Sequence, residues 1–173
     1  MTITQQATEI GPADMRNVLG HFCSGVTVIT AMSPAGPIGF TCQSFASLSL
    51  DPPLVSFGAS RTSSSWPKVR RAQQFCINVL ADGQDGVSNA FARSGTDKFA
   101  GVAWRPSLQG APILDGVVAW VDCSLWAEYD GGDHTVVVAS VTDLGEDKTL
   151  RPLLFHRGAY GLQTATTRQE EVS

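Results

Sequence analysis

The segment from Val117 to Val141 contains the pattern that most constrains the fold. Apolar residues alternate with other residues from Ala119 to Tyr129, which is the period of a β-strand with one buried face. Asp130-Gly131-Gly132-Asp133 follows, and its glycines permit the positive φ angles of a tight turn. The β-branched residues of 135–141 predict a returning strand. This part of the chain is therefore predicted to form an antiparallel hairpin. The opposite face of its first strand carries Asp122, Ser124 and Glu128 among Trp120 and Trp126, so that strand is predicted to be half-buried.

Seventeen glycines and nine prolines divide the rest of the chain into short elements. Long helical periods do not alternate with the strands, which disfavours a parallel doubly wound sheet. The sequence predicts a mainly β fold, a closed or partly closed antiparallel barrel with a few short helices. One domain is expected over residues 14–162, between flexible ends at 1–13 and 163–173. Further strands are predicted over 25–32, 38–48, 54–57, 75–80 and 153–156. Short helices are predicted over 14–22, after Ser65, and over 85–93. The first of these helices would place Met15, Val18, Leu19 and Phe22 on one face.

The composition narrows the class of protein. Only 16% of the residues are charged, against roughly a quarter in a typical soluble domain, so a partner subunit or a ligand is expected to cover part of the apolar surface. A formal net charge of −4 provides no positive field for DNA or RNA. No apolar run approaches the roughly 20 residues that span a bilayer, and no secretory signal is recognisable. The four cysteines form no CxxC pair and the histidines have no metal-ligand spacing, so we expect a cytoplasmic protein with reduced thiols and no metal.

Two segments in the first half of the chain are rich in hydroxyl groups. Gly39 to Ser49 precedes Asp51-Pro52-Pro53, and its hydroxyls and backbone N–H groups suit the polar edge of a heterocyclic ring. The alternative is a polar edge strand. Ser60 to Ser65 precedes a predicted helix, whose free N–H groups and positive dipole end could bind a phosphate together with Arg61. The alternative is helix capping in a mobile loop.

Three later segments carry cations or a histidine. The loop from Arg93 to Phe99 has two cations that could close over a phosphate or remain solvated. His134 follows the hairpin turn directly, where it would contact a ligand at the barrel rim or stay a surface histidine. The segment 156–160 places Arg157 and Tyr160 after the last strand, where they would contact a nucleotide or lie exposed.

Taken in this order, these segments resemble the short-chain flavin reductase family, the reductase components of two-component flavin-dependent monooxygenases. The resemblance covers about residues 15–162. Its most specific pieces are Gly25-Val-Thr-Val-Ile-Thr30, Ser44-Phe-Ala-Ser-Leu-Ser49 with Pro52-Pro53, Phe75-Cys-Ile-Asn-Val-Leu80, Asp97-Lys-Phe99 and Gly132-Asp-His134. The amino-acid sequence of 40–45, 104–106 and 151–154 is most similar to that of reductases that serve hydroxylases of steroid-derived and other phenolic rings.

The resemblance implies a Greek-key split β-barrel that binds FMN or FAD, built as a homodimer with the flavin near the subunit boundary. Segment 39–44 would contact the isoalloxazine ring, and Ser60 to Ser65 the ribityl chain and phosphate. His134 and the turn at 157–160 would face the nicotinamide nucleotide. Cys42, Gln43 and His156 depart from the residues common in the family. The complete implied site is Gly39, Phe40, Thr41, Cys42, Gln43, Ser44, Ser47, Ser60, Arg61, Thr62, Ser63, Ser64, Ser65, Arg93, Lys98, Phe99, His134, Arg157 and Tyr160.

The activity implied is NAD(P)H-dependent reduction of diffusible FMN or FAD, with reduced flavin passing to a partner monooxygenase of an aromatic or steroid-derived substrate. NADH is expected over NADPH, since no cation cluster dedicated to a 2′-phosphate is evident. No proton-transferring residue is assigned, because hydride transfer needs mainly the stacking of two cofactor rings; His134 would orient the nicotinamide. The alternatives are a non-catalytic flavin-binding carrier or sensor on the same barrel, an enzyme similar to pyridoxamine-phosphate oxidase, and a bare dimerisation module.

Overall fold

The computed structural model describes residues 10–162. Within that range the chain is mainly β, with three short helices: α1 Pro12–Leu19, α2 Trp66–Ala72 and α3 Asp85–Ala92. No helix in this range is long and apolar enough to cross a bilayer. The strands are β1 Ser24–Gly25, β2 Thr27–Ser33, β3 Gly36–Cys42, β4 Ala46–Leu50, β5 Pro53–Ser60, β6 Gln74–Val79, β7 Trp104–Pro106, β8 Pro112–Leu114, β9 Ala119–Gly131, β10 His134–Glu146, β11 Leu154–His156 and β12 Ala159–Tyr160.

Seven of these strands form one antiparallel sheet in the order β3-β2-β6-β9-β10-β5-β4. The sheet curls on itself: Phe40 of β3, the first strand in the order, lies against Phe57 of β5, the sixth, with ring centroids 6.4 Å apart. The strands β1, β11 and β12 form a second small sheet, and β7 pairs with β8. The predicted antiparallel, partly closed barrel is confirmed.

The central hairpin is also confirmed, and it is longer than predicted. Strands β9 and β10 have 13 residues each and pair from His134↔Gly131 to Glu146↔Ala119. The loop is the two residues Gly132 and Asp133, and Gly132 adopts φ +76°, which glycine tolerates without strain. The register shifts between Val138 and Ala139 and again between Val141 and Asp143. These two bulges increase the local twist that lets the sheet curl.

The prediction that β9 is half-buried is wrong around Asp122. The Asp122 and Cys123 side chains point to opposite faces of the strand, yet both residues are fully buried. The Asp122 face of the sheet is covered by the β7–β8 segment. Ala111 and Ile113 of that segment pack against Cys76 of the neighbouring strand β6, the residue that pairs with Asp122. This layer is built by residues distant in sequence, so the alternation within β9 does not reveal it.

Helix α2 closes the inside of the barrel. Its first residue, Trp66, is 5% exposed and packs edge-on against Phe57 and Phe75, with ring centroids 5.6 and 6.3 Å away. Val69, one turn later, is fully buried in the same cluster. Because Trp66 is anchored in the core, the loop that enters α2 is held at the mouth of the barrel.

Several element boundaries differ from the predictions. The predicted strand over 38–48 is two strands, β3 and β4, separated by residues 43–45. Helix α1 begins at Pro12, two residues before the predicted start of the domain, and Asp14 accepts a hydrogen bond from the Gly11 N–H (3.0 Å) from within the first turn. The last predicted strand is followed by a further one, β12. Of the predicted flexible ends, residues 1–9 and 163–173 lie outside the described residues.

Candidate functional site

A cavity of about 500 Å³ lies at the mouth of the barrel, where five parts of the chain meet. These are the end of β3 with the turn that follows it, the end of β5, the loop before α2, the end of α3 with the loop after it, and the start of β10. A volume of this size is within the range of small-molecule sites. The lining residues are Phe40, Thr41, Cys42, Gln43, Ser44, Gly58, Ser60, Thr62, Ser63, Ser64, Ser65, Phe91, Ala92, Ser94, Lys98 and His134.

One wall is built where the turn after β3 touches β5. The Ser44 hydroxyl oxygen accepts a hydrogen bond from the Gly58 N–H (2.8 Å). A Cβ at Gly58 would lie 3.1 Å from that oxygen and 3.6 Å from Cδ2 of His134. Glycine at residue 58 therefore lets Ser44 and His134 approach the same part of the wall. Sequence reasoning missed Gly58.

Thr41 and Cys42 are held firmly by the protein. The Thr41 hydroxyl donates to the backbone carbonyl of Ser88 in α3 (2.6 Å), which ties β3 to that helix. Burial raises the pKa of the Cys42 thiol, so this thiol stays protonated and unreactive near neutral pH.

The serine-rich loop uses most of its polar groups within itself. The Ser63 hydroxyl accepts from the N–H groups of Ser65 and Trp66 (3.3 and 3.1 Å) and so caps α2. The N–H groups of residues 61–63 also donate within the protein, to Asp133 O, Ser60 Oγ and Ser60 O. Ser65 was predicted to cap the helix, but Ser63 performs that role. A phosphate here would have to be held mainly by hydroxyl groups.

Lys98 is a cation in the lining, and it is tied to three parts of the chain. Its Nζ donates to the carbonyl of Gly39 (3.1 Å), the carbonyl of Phe91 (2.9 Å) and the Ser65 hydroxyl (3.2 Å). Burial, with a smaller contribution from the charge of Lys68, lowers the pKa of Lys98. No Asp or Glu lines the cavity among the described residues, so Lys98 gives it a positive potential that favours an anion.

His134 stands at the rim with its ring orientation fixed. Its Nδ1 lies 2.6 Å from Oδ1 of Asp133, and the hydrogen bond and charge of His134 lower the pKa of that exposed carboxylate. Neighbouring residues of a strand point to opposite faces, but Asp133 belongs to the two-residue loop rather than to the strand, so its carboxylate can reach the His134 ring. The remaining ring nitrogen, Nε2, is left for a ligand.

The matching family model is described as a flavin reductase like domain, and it covers residues 19–162 of the chain. The chain belongs to this family. A flavin-dependent monooxygenase reductase subunit, HsaB, of Rhodococcus jostii is 50% identical over 154 residues, which cover 89% of this chain and 79% of the relative. An FMN reductase (NADH) of Agrobacterium fabrum is 43% identical, covering 84% of this chain and 83% of the relative. The solved structure of an NADH:FAD oxidoreductase of Streptomyces globisporus, in complex with NAD and FAD fragments, is 31% identical with a TM-score of 0.84, covering 93% of this chain and 99% of that one.

Twelve of the nineteen predicted residues line the cavity of this flavin reductase. The other seven do not belong to its lining. Gly39 and Phe99 line an adjoining crevice of about 210 Å³. Arg61 turns into a neighbouring groove and pairs with Asp130 (2.7 Å). The remaining four are Ser47 on β4, Arg93 at the end of α3, Arg157 in the turn after β11, and Tyr160, whose hydroxyl is 2.9 Å from Ser88 Oγ and Asn89 Oδ1.

Four lining residues of the reductase were not predicted: Gly58, Phe91, Ala92 and Ser94. Phe91 is fully buried and packs against Phe99, with ring centroids 4.9 Å apart. No local signal marks these residues as site residues. Gly58 reaches the cavity because the sheet brings β5 against the turn after β3. Phe91, Ala92 and Ser94 reach it because α3 packs across β3. Both are tertiary contacts.

Proposed function

We propose that this chain reduces diffusible FMN or FAD by hydride transfer from NADH, and that the reduced flavin passes to a partner monooxygenase. The observation that carries the proposal is the single cavity that gathers Thr41, Ser63 and His134 from three separate parts of the chain. Membership of the flavin reductase family supports it, as do relatives named for monooxygenase reductase, FMN reductase (NADH) and NADH:FAD oxidoreductase activities.

The residues present suit a flavin. Strand β3 is an edge strand, so backbone groups on its outer side have no partner strand and can meet a ligand, except the Gly39 carbonyl, which accepts from Lys98. Its end and the turn at 43–44 supply hydroxyl and backbone groups to a polar ring edge, and Ser60 to Ser65 supply hydroxyls to a ribityl chain and phosphate. When bound, the flavin supplies the ring that takes up a hydride. Lys98 gives the cavity a positive potential, which favours the electron-rich ring that results.

The chain contributes positioning rather than acid–base chemistry. Hydride transfer requires the nicotinamide to lie against the flavin ring, and binding both rings in one cavity supplies that proximity. His134 is a positioning residue for the nicotinamide nucleotide, because Asp133 fixes its Nδ1 and leaves Nε2 at the rim. The residues assigned to the flavin and to the nucleotide are part of this proposal.

An anaerobic titration tests the activity. Chain and FMN are mixed, NADH is added, and the yellow flavin absorbance should bleach in proportion. His134→Ala should raise the KM for NADH and lower kcat while the Kd for FMN stays similar. Lys148→Ala is the control, since Lys148 is exposed and lies outside the cavity. Unchanged KM and kcat in the His134 variant would refute its role.

The same assay separates the proposal from its alternatives. Measurable FMN binding without NADH oxidation would favour a non-catalytic flavin carrier on this barrel. If the chain binds neither FMN nor NADH, the result would favour a bare dimerisation module. The diffusible character of the flavin is tested by exhaustive dialysis: the dialysed protein should lose NADH oxidation until flavin is added back, and full activity without added flavin would contradict release.

The proposal includes a homodimer. Helix α1 has no buried residue within the chain. Val18 and Leu19 at its end are exposed, and Phe22, three residues after the helix, is 81% exposed. An eight-residue helix with an uncovered apolar face is unstable on its own, so a second copy is proposed to cover it. Light scattering should give a dimer for the wild type and for the control Leu144→Glu, and a monomer for Val18→Glu. A monomeric wild type would refute the homodimer.

The partner, its substrate and the compartment are the remaining parts of the proposal. An oxygenase that hydroxylates an aromatic or steroid-derived ring is the proposed recipient of the flavin. A cytoplasmic location is proposed because all four cysteines are free thiols, as is usual in a reducing compartment. Coupled product formation from a phenolic substrate by the oxygenase, with this chain as its only source of reduced flavin, would test the partnership.

A further inference from the structure

Another concave surface lies beside α2 and shares no lining residue with the cavity assigned to the flavin. It is a groove of about 390 Å³ between α2 and the tip of the β2–β3 hairpin. We call it the α2 groove. Its apolar surface comes from Met32, Ile38 and Ala72, and two cations, Lys68 and Arg71, stand along its helical side. The volume is within the range of small-molecule sites.

The apolar part of the groove is continuous with the core. Ile38 and Ala72 are partly buried and pack against the main hydrophobic cluster. Met32 is 39% exposed and forms the outer part of the surface. An apolar molecule placed here would shield apolar surface that the chain leaves in water, which is the usual source of affinity in such sites.

The cations of the groove make no ion pair among the described residues. Asp97 lines the adjoining crevice together with Lys68, but the two form no ion pair. Lys68 and Arg71 are three residues apart on α2, so their side chains share one face of the helix. Neither makes an ion pair within residues 10–162, whereas Arg70 of the same helix pairs with Glu128. No Asp or Glu lines the groove in that range. The Ser33 hydroxyl donates to the Gly36 carbonyl (2.8 Å) and is already used.

Two cations that make no ion pair within residues 10–162, beside an apolar surface, are complementary to one class of small molecule. We propose that the α2 groove binds an organic anion with an apolar body, of the aromatic carboxylate class. The carboxylate would lie between Lys68 and Arg71, and the rings against Met32 and Ile38. The proposal does not depend on the proposed function, because it concerns a different surface and is measured by binding alone.

The groove is close to the cavity but distinct from it. Lys68 and Ile38 also line the crevice of about 210 Å³ that contains Lys98 and Gly39. The groove and the cavity have no lining residue in common. The test must therefore separate a probe in the groove from a probe in the cavity.

Calorimetric titration with naphthalene-2-carboxylate tests the proposal. One molecule should bind per chain, and excess FMN should not displace it. The neutral naphthalene-2-carboxamide should bind roughly tenfold more weakly, since two exposed cations each contribute a modest factor. The Lys68→Met/Arg71→Met double variant should lose about the same factor. Met32→Glu, which puts a negative charge in the groove, should weaken binding as well.

Lys148→Met is the matched control, because it removes an exposed cation elsewhere and should leave naphthalene-2-carboxylate affinity unchanged. Melting curves should show that every variant is folded; Met32→Glu gives an independent result if the double variant is not. The proposal is overturned if the carboxylate does not bind, if carboxylate and carboxamide bind equally, or if the groove variants bind like the wild type. Displacement by FMN would also overturn it, because the probe would then occupy the cavity.

Discussion

Replacing Gly39 with alanine measures how tightly β3 is packed between β2 and α3. A Cβ at residue 39 would lie 2.7 Å from the carbonyl oxygen of Ile29 and 2.9 Å from Cε1 of Phe91. Neither neighbour can move away easily, because the first is strand backbone and the second is a fully buried ring. Overpacking of this kind costs about 1–3 kcal/mol. For a chain of this length, the melting temperature should fall by roughly 2–12 °C.

The matched control is Gly86→Ala in α3. A Cβ there would meet nothing within 4 Å, and alanine favours a helix over glycine by up to about 1 kcal/mol. Its melting temperature should stay the same or rise slightly. Calorimetry at one protein concentration compares the two variants, since association would shift both curves. A Gly39→Ala protein that melts at or above the wild-type temperature would refute the packing argument, and an equal fall in both variants would show that the close approach is not the cause.

Three further outcomes are expected. Burial raises the pKa of Asp122, so its carboxylate destabilises the folded chain as pH rises above the ordinary Asp value of about 3.9. Urea unfolding of Asp122→Asn should therefore show a gain in stability that grows from about pH 4 towards neutrality. A gain that does not change with pH would contradict this. Burial also raises the pKa of Cys42 and Cys76, and that of Cys123 to about 12. Intact mass should therefore show iodoacetamide adding once to the folded chain, at Cys23, and not at all to Cys23→Ser; a second adduct without unfolding would be inconsistent with this. Lys98→Met should raise the Kd for FMN by roughly tenfold in a fluorescence titration, because the variant loses a charge-assisted contact with the flavin and the three hydrogen bonds that hold its loop. An unchanged Kd would show that Lys98 only holds the loop in place.

Local patterns predicted the parts of the molecule that local physics determines. The β9–β10 hairpin follows from alternation and from the glycines of its turn, and both signals lie within adjacent residues. The serine-rich loop was found because hydroxyls before a helix are a capping signal, although Ser63 rather than Ser65 accepts the bonds. The location of His134 at the rim follows from its place after the turn.

The remainder depends on contacts between distant residues. Asp122 was expected on a polar face, but the β7–β8 segment covers it. Arg61 was expected at a phosphate, but the carboxylate of Asp130, on β9, binds its guanidinium. Gly58 and Phe91 line the cavity only because the sheet curls and α3 crosses it. None of these contacts is visible in a window of a few residues.

The two-residue loop between β9 and β10 limits how the site can be altered. His134 pairs directly with Ser60 across β10 and β5, so one added residue in either strand would turn every later side chain to the other face of the sheet. This wall can be re-engineered by exchanging side chains but not by changing chain length. The wall formed by Ser94 and Lys98 belongs to a loop outside the sheet ladder. Insertions designed to reshape the pocket for a bulkier nucleotide therefore belong after α3.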